Sequence, residues 1–294
     1  MNDIIIIGAG PAGMTSAIYA KRAGYNPLVL EKNTYGGQII NSSEVANYPG
    51  IKKIDGYTFA TKIYEQLKEL EIEVKHEEVI NIKKNDKTIN VITNKNEYEC
   101  KSVIIATGLT KRKLNIENEE KLIGKGISYC ATCDGAFFKE NDVAVVGGGN
   151  TALEDAIFLS NYCKHVYLIN RTENFKAEKS LLDSFKQKNN TEIITSANVK
   201  KLVGKEKLEK IELDNGKILN ISGLFIAIGQ IPNCNFDIIE KENGFIKSNE
   251  ECTTNIPGIF VAGDIRNKSV RQIVTSVSDG AVAAINAVKY IEKI

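Results

Sequence analysis

The sequence predicts an α/β fold of two similar domains, the second inserted in the first. Residues 4–31, "IIIIGAGPAGMTSAIYAKRAGYNPLVLE", combine an apolar strand, a glycine turn, a helix and a second strand that ends in an acid. Residues 143–170, "VAVVGGGNTALEDAIFLSNYCKHVYLIN", repeat that order with equal spacing. Each unit is then closed by a similar strand and turn, "SVIIATG" at 102–108 and "GLFIAIG" at 223–229.

The glycines of the first unit have separate physical roles. Gly8 permits the tight turn out of the strand, Gly10 lets the backbone approach a pyrophosphate, and Gly13 allows close packing of the helix. Glu31 lies at the spacing expected for a ligand of ribose hydroxyls, and it would repel a 2′-phosphate. The pattern therefore predicts Rossmann-like three-layer nucleotide-binding domains, the first of which suits FAD or NAD.

The second unit differs at the end of its second strand. Asn170 occupies the place of the acid, Arg171 follows it, and Lys176 lies a little further on. A 2′-phosphate would be tolerated beside these cations, which favours NADP. The alternative interpretation is that Arg171 and Lys176 are solvated surface charges.

The domain boundaries follow from the repeat. The segment after the second unit contains "GIFVAGDI", a strand that runs into Gly263 and Asp264 and is expected to complete the first fold. We therefore predict a first domain of residues 1–111 and 236–294 and a second domain of residues 112–235.

The stretch "SYCATCDGAFF" contains two cysteines three positions apart and an adjacent acid. The chain has six cysteines, which is too sparse for a secreted disulfide scaffold, and Cys130 and Cys133 are the closely spaced pair. A structural zinc site needs four ligands, and neither histidine lies nearby, so no metal is predicted. The pair is interpreted as redox-active, with Asp134 either a general acid or a turn-forming or helix-capping aspartate.

Composition excludes several classes of partner. The formal net charge is +1 over 294 residues, which leaves no basic excess for nucleic acid or an anionic membrane surface. No apolar run reaches the roughly 18 residues of a membrane span, and "MNDIIIIGAG" has an acid where a signal peptide carries positive charge. A cytoplasmic protein is expected.

Nine motifs follow one another along nearly the whole chain: "GAGPAG", "YGGQI", "NYPG", "CATCDGAFF", "VVGGGNTALEDA", "AEKSLLD", "GLFIAIG", "GIFVAGDI" and "RQIVTSVSDGAVAA". In this order they resemble the low-molecular-weight thioredoxin reductases of bacteria. The resemblance implies FAD in the first domain, a pyridine nucleotide in the second, and a homodimer. Electrons would pass from the nucleotide to the flavin, to the cysteine pair and on to thioredoxin.

The resemblance also implies roles for single residues. Cys133 would face the flavin, Cys130 would attack the disulfide of thioredoxin, and Asp134 would donate the proton. The positions implied for FAD are Gly8, Gly10, Pro11, Ala12, Gly13, Glu31, Gly37, Gln38, Asn47, Thr107, Gly108, Gly263, Asp264, Arg271, Gln272 and Ile273. The positions implied for the nucleotide are Gly147, Gly149, Asn150, Thr151, Ala152, Arg171 and Lys176.

One departure from the family concerns the electron donor. Members that use NADPH have a His-Arg-Arg start and a further arginine where this chain has Asn170, Arg171, Thr172 and Lys176, so a threonine and a lysine replace two arginines. NADPH is still preferred because the phosphate turn is complete. The alternatives are a similar reductase that takes electrons from ferredoxin and has a degraded nucleotide site, a flavin-dependent oxidase of small dithiols, and a non-catalytic nucleotide sensor.

Overall fold

The computed structural model describes residues 2–42 and 44–294, except for the side chain of Asn41. The helices are α1 (Pro11–Arg22), α2 (Gly56–Glu69), α3 (Glu119–Leu122), α4 (Ala131–Asp134), α5 (Asn150–Ser160), α6 (Lys179–Lys186) and α7 (Ile273–Ile291). The strands are β1 (Asn2–Ile7), β2 (Pro27–Glu31), β3 (Glu73–His76), β4 (Val79–Lys84), β5 (Ile89–Thr93), β6 (Glu97–Ile105), β7 (Leu109–Lys111), β8 (Ile127–Ser128), β9 (Asp142–Val146), β10 (His165–Ile169), β11 (Thr191–Ile194), β12 (Val199–Val203), β13 (Lys210–Leu213), β14 (Ile218–Asn220), β15 (Gly223–Ile226), β16 (Gln230–Pro232), β17 (Lys241–Glu242), β18 (Phe245–Ile246) and β19 (Ile259–Val261).

The chain divides into two compact units. The first consists of Met1–Ile40, Asn47–Thr110 and Ile231–Ile294, and the second of Asn41–Ala46 and Lys111–Gln230. The boundaries follow the return of the C-terminal segment Ile231–Ile294 to the first unit, where β19 lies beside β6.

The first unit is a sheet covered on both faces. Its strand order is β3-β2-β1-β6-β5-β4, with β19 also paired to β6, and the strands from β3 to β6 and β19 run parallel. Ile4 and Ile6 of β1 join a core with α1 and α7, whereas Ile5 and Ile7 join a second core on the opposite face. The continuous isoleucine run thus reflects a central parallel strand that is buried on both sides.

The second unit repeats this design. Its parallel sheet has the order β11-β10-β9-β15-β8. Val143 and Val145 of β9 pack in a core with α5, and Ala144 and Val146 pack in a core with the small antiparallel sheet β12-β13-β14. The predicted fold class, with two Rossmann-like three-layer folds, is confirmed.

The two glycine turns have matching backbone contacts. A Cβ added at Gly8, where φ is +104°, would collide with the carbonyl oxygen of Ala106 after β6. A Cβ at Gly147, where φ is +152°, would collide in the same way with the carbonyl oxygen of Ala227 after β15. Each turn therefore needs glycine because its closing strand passes against it.

The segments that connect the units pair with each other. β7 and β16 form a two-stranded sheet, flanked by a hydrogen bond from Arg112 N to Gly229 O at 3.2 Å and one from Asn233 N to Gly108 O at 3.1 Å. This register means that the outgoing and returning segments run in opposite directions, side by side. Among the described residues, no helix is both long and apolar enough to cross a membrane.

Candidate active site

The centre of the candidate site is a disulfide between Cys130 and Cys133. Strand β8 ends at Ser128, Cys130 is the N-cap residue of the short helix α4, and Cys133 lies within that helix. The Cα to Cα distance of the two cysteines is 5.3 Å and their S–S distance is 2.06 Å. Both residues are half-buried. The spacing of the two cysteines predicted this pairing as a redox centre, and the structure contains the disulfide.

The other four cysteines are buried free thiols. Burial raises the pKa of Cys100 to about 12 and the pKa of Cys163 and Cys252 to about 11, and it also raises the pKa of Cys234. Since the thiolate is the nucleophile, these side chains are unreactive at neutral pH. The thiol chemistry of the chain is therefore confined to Cys130 and Cys133.

Asp134 has one bonded and one unbonded carboxyl oxygen. Its Oδ2 accepts a hydrogen bond from Ser128 Oγ at 2.6 Å, whereas its Oδ1 is buried and has no hydrogen-bond partner among the described residues. Burial raises the pKa of Asp134, and the Ser128 hydrogen bond and the Lys111 ammonium oppose that shift. A carboxyl with a raised pKa next to a disulfide is suited to holding a proton for thiol exchange.

Asp155 is a second acid of this unit that our sequence reasoning missed. Burial on α5 raises its pKa to about 7, the nearby Glu154 adds to the rise, and Lys111 opposes it. The signal in the sequence was its helical position, three residues after Ala152 and four before Leu159, both of which are fully buried. A carboxyl group on the buried face of a helix indicates either a functional site or a cost to the stability of the fold.

Tyr129, beside Cys130, belongs to a polar cluster that was also missed. Its hydroxyl donates to Glu119 Oε1 at 2.7 Å, and the Glu119 carboxylate also accepts the N–H groups of Leu114 at 3.0 Å and Asn115 at 2.8 Å. Glu119 is 2% exposed, and Lys111 Nζ lies 5.0 Å from the centre of the Tyr129 ring. The cluster anchors the residues that follow β7 to the strand end that carries the disulfide.

The first glycine turn has the form of a dinucleotide site. A Cβ at Gly13 would collide with the Gly8 carbonyl, but one at Gly10 would meet no protein atom within 4 Å. Packing therefore explains the glycine at 13 and not the glycine at 10, which fits an open approach for a phosphate at the start of α1. Glu31 accepts the N–H groups of Ala9 at 2.7 Å and Asn33 at 2.8 Å, which fixes its carboxylate beside the turn.

The turn after β19 packs against the same helix end. Pro11 is the first residue of α1, and a Cβ at Gly263, where φ is +81°, would lie 2.9 Å from Ala12 Cβ. Asp264 accepts a hydrogen bond from Ser276 Oγ at 3.0 Å, and burial raises its pKa. The structure thus brings the predicted Gly263 and Asp264 next to the first glycine turn.

The start of α7 and two loops complete this part of the first unit. Arg271 Nε donates to the Asp264 carbonyl at 3.2 Å, Gln272 caps α7 before Ile273, and Asn47 Nδ2 donates to Gln272 Oε1 at 3.3 Å. Asp279 was missed by sequence reasoning; it accepts the Gly263 N–H at 3.1 Å and pairs with Arg266 and Lys268.

Four further predicted positions lie around the turn after β6 and beside Gly10. Gln38 Nε2 donates to the Leu109 carbonyl, and Thr107 Oγ1 is buried without a hydrogen-bond partner among the described residues. Gly108 and Gly37 both have a φ of +61°, and a Cβ at Gly37 would lie 3.3 Å from Gly10 Cα. The orphaned Thr107 hydroxyl and the open face at Gly10 are the observations that favour a bound polar ligand here.

The second glycine turn repeats the pattern of the first. A Cβ at Gly149 would meet no protein atom within 4 Å, whereas Gly147 and the fully buried Ala152 are close-packed. Asn150, the first residue of α5, bonds to Glu178 through its side chain, and Thr151 is exposed. The turn can therefore accept a phosphate at the start of α5.

The loop after β10 closes over this turn. Asn170 Nδ2 donates to the carbonyls of Thr172 at 2.9 Å and Asn174 at 3.1 Å, and Lys176 N donates to Gly148 O at 2.7 Å. The side chains of Arg171 and Lys176 are exposed. The Asn170 side chain thus stabilises the loop through its hydrogen bonds. The exposed side chains of Arg171 and Lys176 can contact an anionic group.

A redox disulfide carried on one of two nucleotide-binding folds defines a disulfide oxidoreductase. The family profile of pyridine nucleotide-disulphide oxidoreductases matches residues 2–280. Thioredoxin reductase of Mycoplasma genitalium is 43% identical, over 96% of this chain and 93% of the relative. Thioredoxin reductase of Buchnera aphidicola (Schizaphis graminum) is 39% identical, over 99% of this chain and 97% of the relative.

The structural comparison agrees. The crystal structure of thioredoxin reductase from Streptococcus pyogenes superposes with a TM-score of 0.95 at 37% identity, over 100% of this chain and 99% of that one. The chain belongs to the pyridine nucleotide-disulphide oxidoreductase family, in the branch of the thioredoxin reductases. Membership implies a flavin and a nicotinamide nucleotide, whose fit the two glycine turns support.

Proposed function

We propose that the chain reduces the disulfide of thioredoxin with electrons from NADPH, through FAD and the Cys130/Cys133 pair. The observation that carries this proposal is the Cys130–Cys133 disulfide, followed directly in the chain by Asp134, whose carboxyl is held by Ser128. Comparison with relatives named thioredoxin reductases supports the acceptor. The alternatives, a ferredoxin-linked reductase and a small-dithiol oxidase, are not favoured by these relatives.

The thiol steps balance without a further reactant once the pair is reduced. The Cys130 thiolate attacks one sulfur of the partner disulfide, which forms a mixed disulfide and releases one partner thiolate. The Cys133 thiolate then attacks Cys130 Sγ, which restores the internal disulfide and releases the second partner sulfur. In this assignment Asp134 gives its proton to a departing thiolate, a role favoured by the burial that raises the pKa of its carboxyl.

We assign one cofactor to each of the two glycine turns. We assign FAD to the first unit because Glu31 lies beside the first glycine turn, where it could accept hydrogen bonds from ribose hydroxyls. The resemblance to the family implies that Asp264, Arg271, Gln272 and Ile273 would hold the isoalloxazine and ribityl groups. When bound, the flavin supplies the two-electron exchange between the nucleotide and the disulfide. We assign NADPH to the second unit, where Gly147, Gly149 and Ala152 form the phosphate turn and Arg171 and Lys176 are the cations available to a 2′-phosphate.

The setting of the enzyme is part of the proposal. Four buried free thiols fit a reducing compartment, so we propose a cytoplasmic location. A homodimer is proposed on the resemblance to the family. If NADPH is the donor, the second unit is expected to swing about connectors near residues 111–116 and 230–236, because nucleotide and disulfide need the same flavin.

The test uses the FAD-loaded protein under anaerobic conditions. NADPH, NADH and reduced ferredoxin are added in turn while the flavin absorbance is followed, and thioredoxin is then supplied as oxidant. NADPH should reduce the flavin at the lowest concentration, and thioredoxin should reoxidise it. Reduction by ferredoxin without any response to NADPH would overturn the assigned donor.

A matched pair of variants tests the thiols. Cys133→Ser should retain FAD and lose reduction of thioredoxin, because the internal disulfide can no longer form. Cys100→Ser should leave turnover nearly unchanged, since that buried thiol is unreactive. Turnover of thioredoxin by the Cys133→Ser protein would disprove the role of the pair.

A further inference from the structure

The Ser128 hydroxyl joins the acid of the site to the backbone of the attacking cysteine. Ser128 Oγ donates to Asp134 Oδ2 at 2.6 Å and accepts the Cys130 N–H at 3.0 Å. The same oxygen lies 3.3 Å from the Cys130 carbonyl oxygen. Ser128 is 5% exposed, so water does not compete for these bonds.

The position of Ser128 is set by the sheet and not by the redox loop. It ends β8, where Phe225 of β15 is its parallel partner, and Phe225 is 1% exposed in the core. The sheet therefore fixes the position of the Ser128 hydroxyl beside α4, a helix of a single turn. A helix this short has little stability of its own, so contacts from outside it must hold the Asp134 carboxyl.

A hydroxyl has one hydrogen to donate. When Asp134 is ionised, the short bond to Oδ2 is charge-assisted and takes that hydrogen. When Asp134 carries a proton, the hydroxyl can instead turn to the Cys130 carbonyl oxygen. Oδ1 is the carboxyl oxygen without a hydrogen-bond partner among the described residues, so it is the oxygen available to a transferred proton.

We infer that Ser128 is a positioning residue, which fixes Asp134 through Oδ2 and leaves Oδ1 as the atom that holds the transferred proton. This rests on the proposed function, since it specifies how the acid of that reaction is held. The hydrogen bonds of the Ser128 hydroxyl go to Asp134 and to the Cys130 backbone, so Ser128 acts through those groups.

Other charged groups act on the same carboxyl. The Lys111 ammonium of β7 opposes the rise in the pKa of Asp134 that burial causes. Helix α5, which packs against α4, carries Glu154 and Asp155. Tyr129 of the loop is held by Glu119. These groups are unchanged in a Ser128 variant, so a difference between variant and wild type reports on the hydroxyl.

The test compares Ser128→Ala, Ser128→Thr and Ser160→Ala in the full-length FAD-loaded protein. Ser160 is a matched control, because it is a buried serine of the same unit whose hydroxyl donates at 2.7 Å within its own helix, to Ile157 O. The first readout is the pH dependence of the protonated-carboxyl infrared band that disappears in Asp134→Asn. The second is the pH profile for reoxidation of the reduced pair by a small aromatic disulfide and by thioredoxin.

Ser128→Ala should move the midpoint of the Asp134 band to higher pH, because the hydrogen bond that favours the carboxylate is lost. The limb of the rate profile due to Asp134 should move in the same direction, and exchange should slow roughly tenfold, as for loss of one charge-assisted hydrogen bond. Ser128→Thr keeps a hydroxyl and suits a strand, so its band midpoint and its exchange rate should resemble those of the wild type. Ser160→Ala should change neither the band midpoint nor the exchange rate.

An unchanged band midpoint in Ser128→Ala would overturn the inference. So would an equal slowing by Ser128→Ala in the wild-type and Asp134→Asn backgrounds, because the effect would then not pass through Asp134. Failure of the wild-type protein to reduce thioredoxin would contradict the proposed function. The infrared measurement needs no turnover, so it tests the role of Ser128 independently of that result.

Discussion

Asp155 carries a carboxyl on the buried side of α5, and its position has a thermodynamic consequence. Its folded-state pKa is about 7, against an ordinary value of 3.8, chiefly because burial disfavours the charged form and secondarily because Glu154 lies nearby. Between these values the folded protein holds a proton that the unfolded chain has lost. Stability therefore falls as pH rises from about 4 to about 7.

Asp155→Asn should remove this dependence, since the amide has the same shape and no charge. The variant should have a higher Tm than wild type at pH 8 and a similar Tm near pH 4. Thermal unfolding at both pH values measures the difference, with Asp183→Asn on the exposed side of α6 as the control for charge removal. An equal Tm difference at the two pH values would contradict the prediction.

At the scale of the element, the two glycine turns allow ligand effects to be separated from packing effects. Gly10 and Gly149 each precede a helix and face open space, whereas Gly13 is crowded by the backbone of its own turn. A methyl group at either open position would displace a ligand without disturbing the protein. The two positions therefore report on which unit binds which nucleotide.

Gly10→Ala should weaken FAD binding at least tenfold with little change in the Tm of the apoprotein, because the added methyl group enters the space assigned to the pyrophosphate. Gly149→Ala should keep FAD and raise the KM for NADPH. FAD titration and steady-state kinetics measure these effects. Loss of FAD from Gly149→Ala with retention by Gly10→Ala would reverse the cofactor assignment.

Gly13→Ala is the packing control for this pair. Its added methyl group would collide with the Gly8 carbonyl, so its effect should appear first in the Tm.

The elements were largely predictable, whereas the supporting contacts of the site were not. The glycine turns, the strands around them and the Cys130/Cys133 pair are local patterns with fixed spacing, so the sequence reveals them. Ser128 and Asp155 act through burial and through partners on other elements, which a one-dimensional pattern does not contain. Asp279 is a further example, since it supports Gly263 from 16 residues away.

At the scale of the whole molecule, the cores of the two units are formed from separate parts of the chain. The cores of the first unit draw on residues 4–109 and 234–291, and the cores of the second draw on residues 114–228. The connectors run in opposite directions, with Arg112 and Gly229 hydrogen-bonded. A short turn can therefore close the first unit where the second is removed.

Replacing residues 113–228 by Asn-Gly should give a folded protein that binds FAD, because a two-residue turn fits paired strands that run in opposite directions. It should show no reduction by NADPH and no disulfide reductase activity. Flavin absorbance, cooperative thermal unfolding and the two assays test this, and Glu31→Ala in the shortened chain is the control for specific binding. A shortened chain that unfolds cooperatively but has no affinity for FAD would contradict the cofactor assignment.

The matching collisions at Gly8 with Ala106 and at Gly147 with Ala227 are most simply explained by duplication of one ancestral gene segment. The crossing of turn and closing strand was inherited twice, while Glu31 and Asn170 diverged at equivalent strand ends. The strand end of the second unit could thus change without altering the glycine turn of either unit. On the proposed cofactor assignment, a lineage with another electron donor would differ in the loop after Asn170. Glycine would still be required at position 147, because the closing strand passes against that turn whether or not a nucleotide binds.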